Sequence, residues 1–341
     1  MLLLPHAAAT TPAIEVLRPT GGLPPNLVGQ MREPAAFVET PDGRFIVFDR
    51  RAQQVYGVDA RKSRLTRLVE IGAPDGQILR PDIFTYTPDK TFIIVDAPAA
   101  YERVQTFYED GTPIGRYQRW PTRSGATRFT LNAVVFRGLG PLAALGRNVI
   151  AIGQQPGELM SELDPDGNIV RHIGKMRRTG HEADALLHHA LNAGIPLVAP
   201  DGGIYFVFTT GVPMFRKYSK SGDLLFERHI EGPELDGMIQ QLPQAWPTRK
   251  GPDGTEFPLV EATVTTAATD ASGDLWVSLA APFTYVYDTG GNKTRTVQFR
   301  GTELMVPTSF FFAKDGRLLV TPGCYEFAPG ARAGLESSPR Q

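Results

Sequence analysis

One hairpin grammar recurs six times along this chain and leaves few folds open to it. In "DIFTYTPDKTFIIVDAPAAYERVQTFYEDG" an alternating apolar run closes at a Pro-Asp-Lys turn and a continuous apolar run follows. A short loop then leads to a second alternating run that ends at Asp-Gly. Alternation with period two marks a half-buried strand, and a short continuous apolar run between turn signals marks a strand buried on both faces. The same order stands upstream in "AFVETPDGRFIVFDRRAQQVYGVDA" and downstream in "PLVAPDGGIYFVFTTGVPMFRKYSKSGDLLFERHI". Looser copies are "NAVVFRGLGPLAALGRNVIAIGQQPGELMSELDPDGNIVRHIG", "TTAATDASGDLWVSLAAPFTYVYDTGGNKTRTVQF" and "SFFFAKDGRLLVTPGCYEFAPG", which keep the strands while the loops vary.

The second strands of the copies begin at Phe45, Phe92, Val149, Ile204, Leu275 and Leu318. A unit of roughly 40 to 45 residues, lengthened by insertions, is the period of a propeller blade. The expected fold is therefore all-β, a six-bladed β-propeller of four-stranded antiparallel blades over residues 13–330. Short helices belong to the inter-blade insertions, and 331–341 is expected to form a disordered tail. The sixth copy ends before a convincing fourth strand, while "AIEVLRPTG" near the N-terminus has no copy of its own. An open ring would expose sheet edges, so the N-terminal strand, Ile14 to Arg18, is expected to close the last blade.

Composition agrees with a turn-rich soluble domain. The 341 residues include 35 Gly and 29 Pro, spread as punctuation between apolar runs. With 35 basic against 36 acidic side chains no global field points to nucleic acid or an anionic membrane. No apolar run approaches the ~18 residues of a membrane span. The lone cysteine, Cys324, excludes an internal disulfide and reads as a small buried residue of the last blade. The opening "MLLLPHAAATTPA" reads as the remnant of an export signal or a frayed terminus over residues 1–12, so a periplasmic or secreted location is expected.

The stretch from Gly72 to Gly111 resembles an NHL repeat. Glycines precede the first strand, a proline leads it, the apolar second strand ends in aspartate and an arginine opens the third. Gly72, Gly76, Pro81, Asp96, Arg103 and Gly111 fill those places. The first copy keeps Asp49, but Gln54 stands where the arginine would be; the other copies match poorly, and the third and fifth lack both members of the pair. Propellers of this kind include binding scaffolds, signalling domains, amidating lyases and lactonase-like relatives, so the resemblance does not choose a function. Asp96 and Arg103 read as a structural pair that braces the blade through a charge-assisted bond.

Function is sought instead in what the copies do not share. Three long connections are expected on one face: "YQRWPTRSGATRFT" from Tyr117, "GKMRRTGHEADALLHHALN" from Gly174 and "EGPELDGMIQQLPQAWPTRKGPDGTEFPLVEA" from Glu231. "HEADALLHHALNAG" from His181 and "PELDGMIQQLPQ" from Pro233 have helical spacing. Arg119, Trp120, Arg123, Arg177, Arg178, His181, His188 and Trp246 are the candidate binding residues, an arginine and aromatic rim for a protein or a small acidic ligand. No catalytic residue, metal ligand or cofactor is expected: His181, His188 and His189 lack the i, i+4 spacing of a zinc helix, and no G-x-S-x-G elbow is present. The leading expectation is a monomeric, non-catalytic binding scaffold. Its alternative is a lyase or lactonase-type hydrolase with a divalent metal in the central tunnel.

Overall fold

The computed structural model describes residues 14–99, 101–121, 133–134, 140–153, 157–251, 254 and 256–330, with the backbone alone at 115–121 and 133–134. Its second strands explain the ring. In Phe45–Asp49 every residue is buried, with Phe45 and Val47 facing one neighbouring blade and Ile46 and Phe48 the other. Because side chains alternate across a strand, a run that is apolar at every position must be covered on both faces. Here the cover on each face is a neighbouring sheet.

Six such sheets follow one another. Blade 1 comprises Pro34–Glu39, Phe45–Asp49, Gln54–Val58 and Leu65–Arg67. Blade 2 comprises Pro81–Thr87, Thr91–Asp96, Tyr101–Tyr108 and Pro113–Pro121. Blade 3 comprises Ala143–Leu145, Asn148–Ile152, Glu158–Leu163 and Ile169–Lys175. Blade 4 comprises Gly194–Val198, Ile204–Phe208, Met214–Tyr218 and Leu224–His229. Blade 5 comprises Val264–Thr269, Leu275–Leu279, Thr284–Tyr287 and Lys293–Arg300. Blade 6 comprises Ser309–Phe312, Leu318–Thr321 and Tyr325–Phe327, with Gly21–Gly22 as its fourth strand. Each sheet is antiparallel within the blade, and six buried apolar clusters fill the six gaps between consecutive blades, including the gap from blade 6 to blade 1.

The N-terminal segment closes the last blade, but through other residues than expected. Gly21–Gly22 pairs antiparallel with Tyr325 and Glu326, whereas Ile14–Leu17 runs parallel to the outer strand of blade 5, Ile14 opposite Thr296. The reason is steric. A β-carbon on Gly22, at φ 152°, would stand 2.7 Å from the Cys324 carbonyl oxygen, so the closing strand needs glycine, which Ile14–Arg18 lacks. Arg317 of blade 6 then latches the ring, with one guanidinium nitrogen 2.8 Å from both Glu39 oxygens of blade 1 and the other 2.8 Å from Glu326. Cys324 is buried in the turn before Tyr325, where burial first and the Asp49 charge second push its thiol up to about 12.

Two helices of the insertions form where spacing placed them. The helix Ala185–Leu191 starts later than His181 because the Asp184 carboxylate caps it, accepting from the Leu186 and Leu187 amides at 3.1 and 3.0 Å. The helix Pro233–Gln240 begins on its proline.

Candidate functional site: the tunnel and its loop-bearing mouth

The blade corner that carries the repeat motif is closed. Asp96 and Arg103 stand opposite each other across the second and third strands of blade 2. Arg103 is fully buried and donates from Nε and Nη2 to the Asp96 carboxylate at 3.0 and 2.7 Å, to the Asp75 carboxylate at 2.9 Å, and to the Ala73 and Gln77 carbonyls at 2.8 Å. Burial works to lower its pKa, but hydrogen bonds and charge from Asp96 and Asp75 outweigh it and the guanidinium is held more firmly protonated. With every donor occupied, the pair braces the loop that enters the blade.

First strands all run the same way through the ring, so connections between blades share one face with the hairpins between second and third strands. The connections after blades 2, 3 and 4 meet there, although the described part of the first, Ala133–Val134, lies beyond the stretch from Tyr117 and was expected to open the third copy, whose first strand is instead Ala143–Leu145. Ala133–Val134, from the connection after blade 2, pairs antiparallel with Val260–Glu261 from the connection after blade 4. Between them the helix Ala185–Leu191 buries Leu187, Ala190 and Leu191 against Val260 and Trp246. Thr210 Oγ1 donates to the Ala190 carbonyl at 2.7 Å, tying this layer to blade 4.

The expected binding residues divide within this layer. Trp246 is half-buried against the helix that carries His188, and Arg178 is exposed. His188 Nδ1 lies 2.7 Å from Thr179 Oγ1, whose loop is also held by Glu182, and His181 precedes the helix. Arg177 is a brace: it donates to the carbonyls of Val212, Leu191 and Thr210 at 2.6, 2.8 and 2.7 Å and lies 4.5 Å over the Phe208 ring. Burial and then the charge of Arg216 bring its pKa down to about 10, so it remains a cation at neutral pH. Arg119 and Trp120 belong to the outer strand Pro113–Pro121, with backbones opposite Arg103 and Glu102, rather than to the connection expected from Tyr117. Arg123 lies outside the described residues. Among the described residues no three His, Cys, Asp or Glu side chains converge.

At the centre the first strands enclose a cavity of about 1160 Å³. Ala36, Phe84, Ala144, Ile195, Ala268 and Phe311, one from each blade, contribute to its wall. Three of the wall's hydroxyls stitch blades together: Thr85 Oγ1 donates to the Leu142 carbonyl at 3.0 Å, Thr265 Oγ1 to Pro307 at 2.7 Å and Thr269 Oγ1 to Val198 at 3.4 Å. Side chains of the wall therefore present mainly apolar and aromatic groups to the lumen. Tyr86 and Phe311 meet edge to face, ring centroids 5.8 Å apart. Charge is confined to the ends. Arg32, Glu33, Arg50 and Asp82 ring the loop-bearing mouth, where Arg50 pairs with Glu33 and lies 3.9 Å from Asp82; Asp270 and Lys314 stand at the opposite mouth. None of these tunnel residues carried a sequence signal, since each blade supplies one short first strand and no local motif results.

No family model matches the chain, and no curated protein matches it in sequence. Solved structures are similar in architecture. A virginiamycin B lyase from Staphylococcus aureus shares 12% identity at TM-score 0.49, covering 85% of this chain and 77% of its own. A streptogramin B lyase shares 12% at TM-score 0.48, covering 86% and 92%. Regucalcin, a calcium-binding protein from Agrobacterium tumefaciens, shares 14% at TM-score 0.48, covering 91% and 88%. The class established by the strands, their pairing and the six interfaces is a six-bladed β-propeller.

Proposed function

We propose that this propeller is a non-catalytic binding scaffold, NHL-like in its blades, which takes its ligand at the loop-bearing face. The observation that supports the reading best is the folding of three inter-blade connections into one another, through the pairing of Ala133–Val134 with Val260–Glu261 and the packing of Leu187 and Leu191 on Val260. Connections with no further role would stay short, and a layer of inserted segments on a rigid ring is where binding surfaces are commonly built. Partners that fit are a protein or a small acidic ligand, met by a single copy of the chain. Export through the opening apolar segment would place the scaffold in the periplasm or outside the cell, and among the described residues no helix is long and apolar enough to cross a membrane.

The test is a thermal-shift panel of organic anions, neutral aromatics and divalent metals, joined to elemental analysis of the purified protein. A scaffold is stabilised by an organic ligand and shows no stoichiometric metal. Stoichiometric zinc or calcium, with chelator-sensitive turnover of a lactone or ester, would overturn the proposal in favour of an enzyme.

A further inference from the structure

We infer that the tunnel itself is a binding site, and that its ligand is an amphipathic organic anion: an apolar, ring-bearing body seated between Phe84, Ile195 and Phe311, with its acid group at Arg32. The inference deepens the binding-scaffold reading and rests on it.

The body follows from the wall. A cavity of about 1160 Å³ is somewhat larger than the roughly 300–1,000 Å³ of most small-ligand sites, which combine an apolar lining with a few placed polar groups. Thr85 and Thr265 donate their hydroxyls to carbonyls at the entry of the next blade, so the wall's side chains offer a guest mainly apolar contact, while the free edges of the first strands add backbone N–H and C=O groups for its polar atoms. Ala144 and Ala268 leave width on the side opposite the aromatic residues.

The sign of the head group follows from which mouth charges are already used. Among the wall's carboxylates, Glu33 is paired with Arg50, Asp82 lies beside the same guanidinium, and Asp270 accepts from the amides of Ser272 and Asp274 and from Trp276 Nε1. Among the described residues, Arg32 and Lys314 make no ion pair or side-chain hydrogen bond, and each stands at one mouth. Arg32 is exposed, and its backbone amide is anchored 2.6 Å from the buried Asp49 carboxylate, which holds the residue at the rim while its guanidinium stays available. An arginine fork suits a carboxylate or sulfonate.

Two naphthalene probes separate the parts of the inference: anilinonaphthalene sulfonate, and phenylnaphthylamine, the same ring system without the acid. Fluorescence titration of the full chain is expected to show one saturable site that prefers the sulfonate by about tenfold, equivalent to about 1.4 kcal/mol. Arg32→Gln is expected to erase the preference and leave the neutral probe unchanged. Ala144→Trp and Ala268→Trp, each checked for native circular dichroism, are expected to abolish both probes' binding. Equal affinity for the two probes in the native protein, or sulfonate binding that survives both folded tryptophan variants, overturns the inference. The scaffold reading falls separately, on the metal and turnover result above.

Discussion

Blades 1 and 2 meet the same burial problem and solve it differently. Each ends its second strand in a fully buried aspartate, Asp49 or Asp96, opposite the proline that leads the first strand. In blade 2 the facing residue is Arg103, which also gathers Asp75 and the carbonyls of Ala73 and Gln77. In blade 1 the facing residue is Gln54, whose Oε1 has no partner, and Asp49 is satisfied by backbone amides instead: Arg32 at 2.6 Å, Glu33 at 3.0 Å and Ala52 at 2.9 Å. A guanidinium inside the blade makes the corner self-contained. A carboxylate held by amides brings the Arg32 segment to the tunnel rim with its own side chain unspent. The motif-perfect corner thus spends its arginine inside the blade, and the degenerate corner leaves one exposed at the tunnel rim.

This contrast can be broken most sharply at Arg103. Removing one partner of a buried ion pair costs about 3–5 kcal/mol, because the other charge stays behind. Arg103→Met is therefore expected to lower the urea midpoint severely, whereas Gln54→Met at the matching position of blade 1 is expected to change stability by less than about 1 kcal/mol, since the lost Oε1 was unpartnered. Asp49→Ala should fall between them, at about 1–3 kcal/mol for the amides left unsatisfied. Arg32→Gln, an exposed substitution, is expected to stay within about 0.5 kcal/mol in the same unfolding assay while changing probe selectivity. A large loss of stability there would make Arg32 another brace. A smaller test concerns Cys324: with its thiol pushed up to about 12 by burial, alkylation at mildly alkaline pH should require unfolding, and rapid modification of the native protein would show the blade 6 turn to be open.

The ring was legible in the sequence because its cause is local and repeated. Each second strand is apolar at every position, and the Pro-Asp-Gly and Asp-Gly turns recur in register with it. The facing of Asp96 and Arg103 was legible from a single copy, because the end of a second strand and the start of the third stand opposite each other across their hairpin. Closure was half legible: a missing fourth strand demanded a donor, but the choice of Gly21–Gly22 over Ile14–Leu17 depends on a carbonyl of Cys324 that is 302 residues away in the chain. Arg177 was misweighted because an arginine in a polar loop gives no hint that three carbonyls from two other segments surround it. The tunnel was expected from the ring, but its lining was illegible. Ala36, Ala144 and Ala268 are ordinary strand residues, and only the ring brings them together.

Hydrogen exchange with and without anilinonaphthalene sulfonate tests the account most directly, because the molecule offers that probe an alternative. Ile169, Val170, Leu224 and Leu225 are exposed on the outer strands of blades 3 and 4, far in sequence from the tunnel wall. The account predicts protection of the first strands, above all Pro34–Glu39 and Pro81–Thr87, together with the insertion helix Ala185–Leu191. Protection confined to Ile169–Lys175 and Leu224–His229, with the first strands unchanged, would contradict it.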